Sequence, residues 1–201
     1  MKQLFLHLTL FVFVFFFKMN LYSQESELNM KTKALLIIDI QMFYFPGGSV
    51  PLFGAENAAQ NASRILDFSR KNNILVIHIQ HNSKSGFDIH PLVKPLNNEK
   101  VFTKNEANAF NGTDLLEYLK MNSITELIIV GMQTHMCVEA ATRAAYDLGF
   151  KCTVIENACA TRDLKFKDKI VKAEDVHYST LSALNNNYAT ILTTDELVNT
   201  K

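Results

Sequence analysis

Four stretches, KALLIID (33–39), NILVIHIQH (73–81), ELIIV (126–130) and KCTVIE (151–156), are apolar at almost every position rather than at every second one. A strand with one wet face alternates, whereas a strand covered on both faces does not, so these runs predict a parallel sheet buried between two layers. Helical periodicity fills the intervals. Ala58, Ala62, Ile65 and Leu66 mark one helix, and TDLLEYLK marks a second, with Thr113 as its cap. From Val138 onward Ala140, Ala141, Ala144, Ala145 and Leu148 mark a third that stops at Gly149, and Ile170, Val176, Thr180, Leu181 and Leu184 mark a fourth. KVFTK and YATILTT supply two more strands. The expected fold is α/β: a three-layer Rossmann-like domain over residues 33–201, with a six-stranded, mainly parallel sheet and helices on both faces.

Twenty basic side chains balance twenty acidic ones among 201 residues, which gives no electrostatic argument for a nucleic-acid partner. Three cysteines without a CxxC pair imply neither a disulfide framework nor a zinc ribbon. At the front, Lys2 precedes an apolar run from Leu4 to Phe17 of about 14 residues, short for a stable membrane span and suited to a secretory signal. Ser23 offers a cleavage point, so residues 1–23 read as a signal peptide and 24–32 as a short leader, with the protein exported, in the periplasm. The alternative is a cytoplasmic protein whose true start is Met30.

In open parallel sheets ligands bind beyond the carboxyl ends of the strands, so residues there are informative. Asp39 ends the first strand, Lys104 the third, and the segment Gly131 to Cys137 follows the fourth. With Thr134 as N-cap, Cys137 falls in the first helical turn, where free N–H groups and the helix dipole favour a thiolate. Taken singly, a strand-end Asp is most often a cap, a Lys is solvated surface and a Cys is a small apolar packing residue, as Cys152 and Cys159 are read here. Together on one rim, a nucleophile, a carboxylate and a cation are the parts of a covalent hydrolase.

Three motifs in this order, LLIIDIQMFYFPGG, VFTKNEANAFNGTDL and IIVGMQTHMCVEAATRAAYDLGF, resemble the isochorismatase-like cysteine hydrolases, the superfamily of nicotinamidases, carbamoylsarcosine amidases and streptothricin hydrolase-like enzymes. The resemblance runs from Lys33 to about Thr194. It implies a catalytic triad of Asp39, Lys104 and Cys137, a non-proline cis peptide at Met132–Gln133, and an oxyanion hole from the backbone amides of Gln133 and Cys137. The implied chemistry is cleavage of a small-molecule C–N amide bond through a thioester, with no cofactor, in a homo-oligomer (dimer or tetramer).

Nicotinamidases carry a metal held by an Asp-x-His pair and a further His beside a tryptophan. This chain has no Trp, and His78, His81 and His90 of IHIQHNSKSGFDIHP make no tight ligand pattern, so no metal is expected. His78 reads as a satisfied core residue, while Phe43, Phe45, His81 and His135 are candidate pocket walls. A metal-dependent nicotinamidase or a true isochorismatase is the alternative enzyme. The alternative outside enzymes is a small-molecule-binding domain of the same fold, against which the intact Asp39–Lys104–Cys137 set argues. No G-x-G-x-x-G follows the first strand, which disfavours a dinucleotide site.

Overall fold

Each of the central strands carries two apolar faces, and the structure uses both. In strand β1 (Lys33–Ile38), Ala34, Leu36 and Ile38 join one core cluster while Leu35 and Ile37 join the other. The structure, a computed structural model, describes residues 32–199. The expected signal and nearly all of the expected leader therefore lie outside the described residues.

The remaining strands of the main sheet are β2 (Leu75–His81), β3 (Lys100–Lys104), β4 (Glu126–Met132), β5 (Lys151–Ala160) and, after a small hairpin of β6 (Leu164–Phe166) and β7 (Lys169–Val171), β8 (Thr190–Leu192). Their order is β3-β2-β1-β4-β5-β8, with every neighbouring pair parallel. Helix α1 (Ala55–Lys71) buries Ala55, Ala58, Ala59, Ala62, Ile65 and Leu66 on one face of the sheet. Helices α2 (Leu115–Met121), α3 (Glu139–Asp147) and α4 (Ala173–Leu184) cover the other, through Leu115 and Leu119, Ala141 and Ala145, and Leu181 and Leu184. A short α5 (Thr194–Val198), which the periodicity missed, starts in a capping box between Thr193 and Glu196. The three-layer parallel architecture is the one expected. No helix among the described residues is long and apolar enough to cross a membrane.

Three local expectations need correction. Ile170 is not in a helix: it lies in β7 paired with Lys165, and is 61% exposed. Helix α4 starts later because Asp163 reaches across the hairpin, accepting the Ala173 N–H through Oδ1 and the Lys172 amine through Oδ2, both at 2.8 Å. Thr134 is not a side-chain cap; its hydroxyl meets Nδ1 of His177 on α4 at 2.9 Å, and Thr134–Val138 winds as a π-helical turn that runs into α3. Thr113 stands one residue further from α2 than a cap should, with Asp114 between, though its hydroxyl still receives the Leu115 N–H at 3.4 Å.

Candidate active site

Connections run one way from β1 through β2 to β3 and the other way from β4 through β5 to β8, so the direction reverses between β1 and β4. That reversal opens a crevice beyond the carboxyl ends of the two strands. Asp39 emerges there directly from β1, in a left-handed conformation at φ 51° with its N–H on the Ile79 carbonyl. Cys137 emerges from the π-helical turn after β4. Lys104, the last residue of β3, reaches the crevice across the end of β2. Gly131 makes the approach of β1 and β4 possible: its φ is +137°, and a Cβ there would lie 2.0 Å from the Ile38 carbonyl oxygen. The Met132–Gln133 peptide is cis, as the resemblance implies.

Asp39, Lys104 and Cys137 are all buried and in mutual contact. Lys104 Nζ is 2.7 Å from Asp39 Oδ2 and donates to Cys137 Sγ at 3.3 Å. Burial pushes the Asp39 carboxyl above the usual carboxylate range, although Lys104 pulls the other way. Burial first, and then the Asp39 charge, push the Cys137 thiol up to about 12. Burial thus works against the thiolate that the helix-end placement favours. Desolvation outweighs the dipole, because the Cys137 side chain is turned into the core rather than presented to water. Cys152 and Cys159 are likewise buried and pushed up to about 12, and neither has a charged partner.

Of the four expected pocket walls, His81 is the one hydrogen-bonded to this cluster among the described residues. Its Nδ1 lies 3.3 Å from Lys104 Nζ, which can only donate, so Nδ1 accepts and the ring proton sits on Nε2. His135 stands at the entrance to the π-turn, with Nδ1 2.6 Å from the Thr161 hydroxyl. Phe43 and Phe45 are buried in the core beneath α1, and Phe45 stacks on His90 at 3.9 Å between ring centres. The three imidazoles weighed as metal ligands diverge: His78 faces Glu99 (3.0 Å), His81 faces Lys104 and His90 accepts the Leu92 N–H. They do not fit a shared metal, and among the described residues no other His, Cys, Asp or Glu cluster does.

Three residues went unread in the sequence. Gln41, fully buried two positions after Asp39, accepts the His81 N–H (2.7 Å) and donates to the carbonyls of His81 (3.1 Å) and Phe87 (2.7 Å), fixing the end of β2. A glutamine so close to a strand-end Asp, flanked by apolar residues, was the available signal. Tyr44 sits between the two phenylalanines that were weighed, and the 3₁₀ turn Met42–Tyr44 turns it toward Gln133 instead. Arg162, just past β5, donates through Nε to the Gln133 side chain at 3.1 Å, a pairing no local pattern announces.

The isochorismatase domain model matches residues 33–196. An uncharacterized isochorismatase family protein of Bacillus subtilis (strain 168) is 43% identical over 175 residues, covering 82% of this chain and 97% of that protein. The crystal structure of an isochorismatase from Pseudomonas putida KT2440 is 33% identical and superposes with a TM-score of 0.79, covering 83% of this chain and 90% of that one. A streptothricin hydrolase of Streptomyces noursei is 30% identical over 148 residues, 66% of this chain and 51% of that enzyme. The span of these matches leads to one assignment: the chain belongs to the isochorismatase family of hydrolases.

Proposed function

We propose that the protein is a cysteine-dependent amidase that cleaves a C–N bond of a small molecule through a thioester on Cys137. The observation that carries this reading is the buried contact of three groups, Asp39 Oδ2 to Lys104 Nζ at 2.7 Å and Lys104 Nζ to Cys137 Sγ at 3.3 Å. Because burial holds the thiol protonated, Cys137 needs a base at the moment of attack, and burial also makes Asp39 a stronger base than an exposed carboxylate.

The thiol proton passes to Asp39 as sulfur bonds to the amide carbon, and the carbonyl electron pair moves to oxygen. Lys104 balances the charge of the sulfur as it loses its proton. The backbone amides of Gln133 and Cys137 receive the oxyanion. The Gln133 carbonyl takes the N–H groups on either side of Cys137, those of Met136 (3.0 Å) and Val138 (3.2 Å). Collapse expels the amine, which takes the proton from Asp39 and leaves a thioester. Water then attacks the thioester with Asp39 again as base, releasing the acid and returning the thiol.

The test is ammonia release from the purified domain across a panel of primary amides, with Cys137→Ala as control. Turnover in the wild type and none in a folded Cys137→Ala variant is expected. Equal turnover in both, or cleavage of enol ethers with no ammonia from any amide, would overturn it.

A further inference from the structure

The Tyr44 hydroxyl lies in the candidate site, and the hydrogen bonds around it have a direction. Arg162 has only donors, so the Gln133 oxygen must face its Nε (3.1 Å). Flipping the amide would set two donors against each other. The Gln133 nitrogen therefore faces Tyr44, donating to the phenol oxygen at 3.3 Å. Tyr44 can then only accept from Gln133, and its own proton points elsewhere.

Gln133 is the hydrogen-bond partner of the Tyr44 hydroxyl among the described residues, and the residue is 5% exposed. A hydroxyl proton with no acceptor among the described residues is a donor available to a bound group. Its surroundings say which. Burial first holds the phenol above the usual phenol range, the Gln133 hydrogen bond pulls the other way, and the nearby Asp39 carboxylate adds to the rise. Gln133, which anchors it, is also the residue whose backbone N–H belongs to the cis Met132–Gln133 peptide and faces the oxyanion in the proposed mechanism.

We propose that Tyr44 is a further catalytic donor: its O–H hydrogen-bonds the substrate carbonyl oxygen beside the Gln133 and Cys137 amides, with its direction imposed by the Arg162–Gln133 chain. The proposal rests on Cys137 being the nucleophile, and it places a side-chain donor where the backbone alone would otherwise serve. Two residues that the fold brings from distant segments, Tyr44 after β1 and Arg162 after β5, thereby act on one oxygen through Gln133.

The probe is [1-¹³C]propionaldehyde, whose carbonyl carbon bonds to sulfur while the thiol proton goes to oxygen, giving a thiohemiacetal that NMR detects without turnover. Tyr44→Phe keeps the ring and removes the donor. It should weaken the adduct roughly tenfold, the scale of one lost hydrogen bond. Gln133→Glu keeps the contacts to Arg162 and Tyr44 but reverses the second, since a carboxylate oxygen would draw the Tyr44 proton to itself. It should weaken the adduct comparably, and adding Tyr44→Phe to it should do little more.

Each adduct constant is compared with the iodoacetamide alkylation rate of Cys137 in the same variant, which separates lost carbonyl binding from a changed thiol. Wild-type adduct affinity in a folded Tyr44→Phe variant overturns the proposal and leaves the Cys137 reading standing. If Tyr44→Phe does not fold, unchanged adduct affinity in Gln133→Glu overturns it instead. Absence of any adduct on wild-type Cys137 removes the nucleophile and the proposal together.

Discussion

Replacing Lys104 with methionine removes the cation beside a carboxylate that solvent does not reach. Asp39 Oδ2 and Lys104 Nζ are 2.7 Å apart and both side chains are 0% exposed. At an effective dielectric near 20 the gross attraction is about 6 kcal/mol. Methionine approximates the lysine stem, so packing largely survives and the loss comes from stranding Asp39, about 3–5 kcal/mol. That is a large part of a domain's total of about 5–15 kcal/mol. The loss must also depend on pH. In the variant the largest influence opposing burial is gone, so the folded-state pKa of Asp39 rises further above the ordinary value of 3.8. A carboxyl whose pKa is raised by folding favours the folded state most below the unfolded pKa, and that advantage is lost as pH rises through the folded value. The gap between wild type and Lys104→Met should therefore be widest near neutral to mildly alkaline pH and narrow toward about pH 4. Urea unfolding followed by circular dichroism at several pH values measures it. A gap that stays constant with pH, or no gap, would refute the buried ion pair and with it the account of Asp39 as a base tuned by burial.

Glu99 should carry a second pH dependence. Burial acts to raise its pKa, but the Arg70 fork (2.8 and 2.9 Å), the Leu96 N–H and His78 together bring it down to about 2. Its contribution is present above the unfolded value of 4.5 and lost as pH falls toward 2, so Glu99→Gln should cost about 2–3 kcal/mol at neutral pH and little near pH 2 in denaturant titrations. Gly131→Ala should cost more than about 3 kcal/mol or prevent folding, read from a thermal melt, because the new Cβ meets the Ile38 carbonyl in a rigid strand pair. Iodoacetamide should label Cys137 ahead of Cys152 and Cys159. Its rate should fall as pH drops through the raised Asp39 pKa and stay flat from neutral to about pH 10, whereas a thiolate-limited cysteine would climb steadily over that range.

The sheet is legible in the sequence because strands covered on both faces admit almost no polar residue, so Leu35 to Ile38 and Leu127 to Val130 identify themselves. The catalytic candidates are legible for a related reason: Asp39, Lys104 and Cys137 stand where such runs end, at the rim where parallel sheets bind ligands. What stays hidden depends on contacts between distant segments. Ile170 continues the helical spacing of α4 upstream, and Asp163, bonding to Ala173 across the β6–β7 hairpin, stops the helix there. Thr134 looks like a cap until His177 takes its hydroxyl. The high thiol pKa of Cys137 follows from burial, which a helix-start pattern does not report. Gln41, Tyr44 and Arg162 work through partners 40, 89 and 29 positions away, beyond the reach of any local spacing.

Trapping the acyl-enzyme tests the mechanism at its covalent step. The domain is mixed with its fastest primary amide from the panel, quenched in acid within one turnover, digested and analysed by mass spectrometry. The peptide containing Cys137 should gain the mass of the acyl group, lose it on treatment with hydroxylamine, and show no gain in Cys137→Ala. Steady release of ammonia with no acyl mass on Cys137, and undiminished in the Cys137→Ala variant, would contradict covalent catalysis by this cysteine.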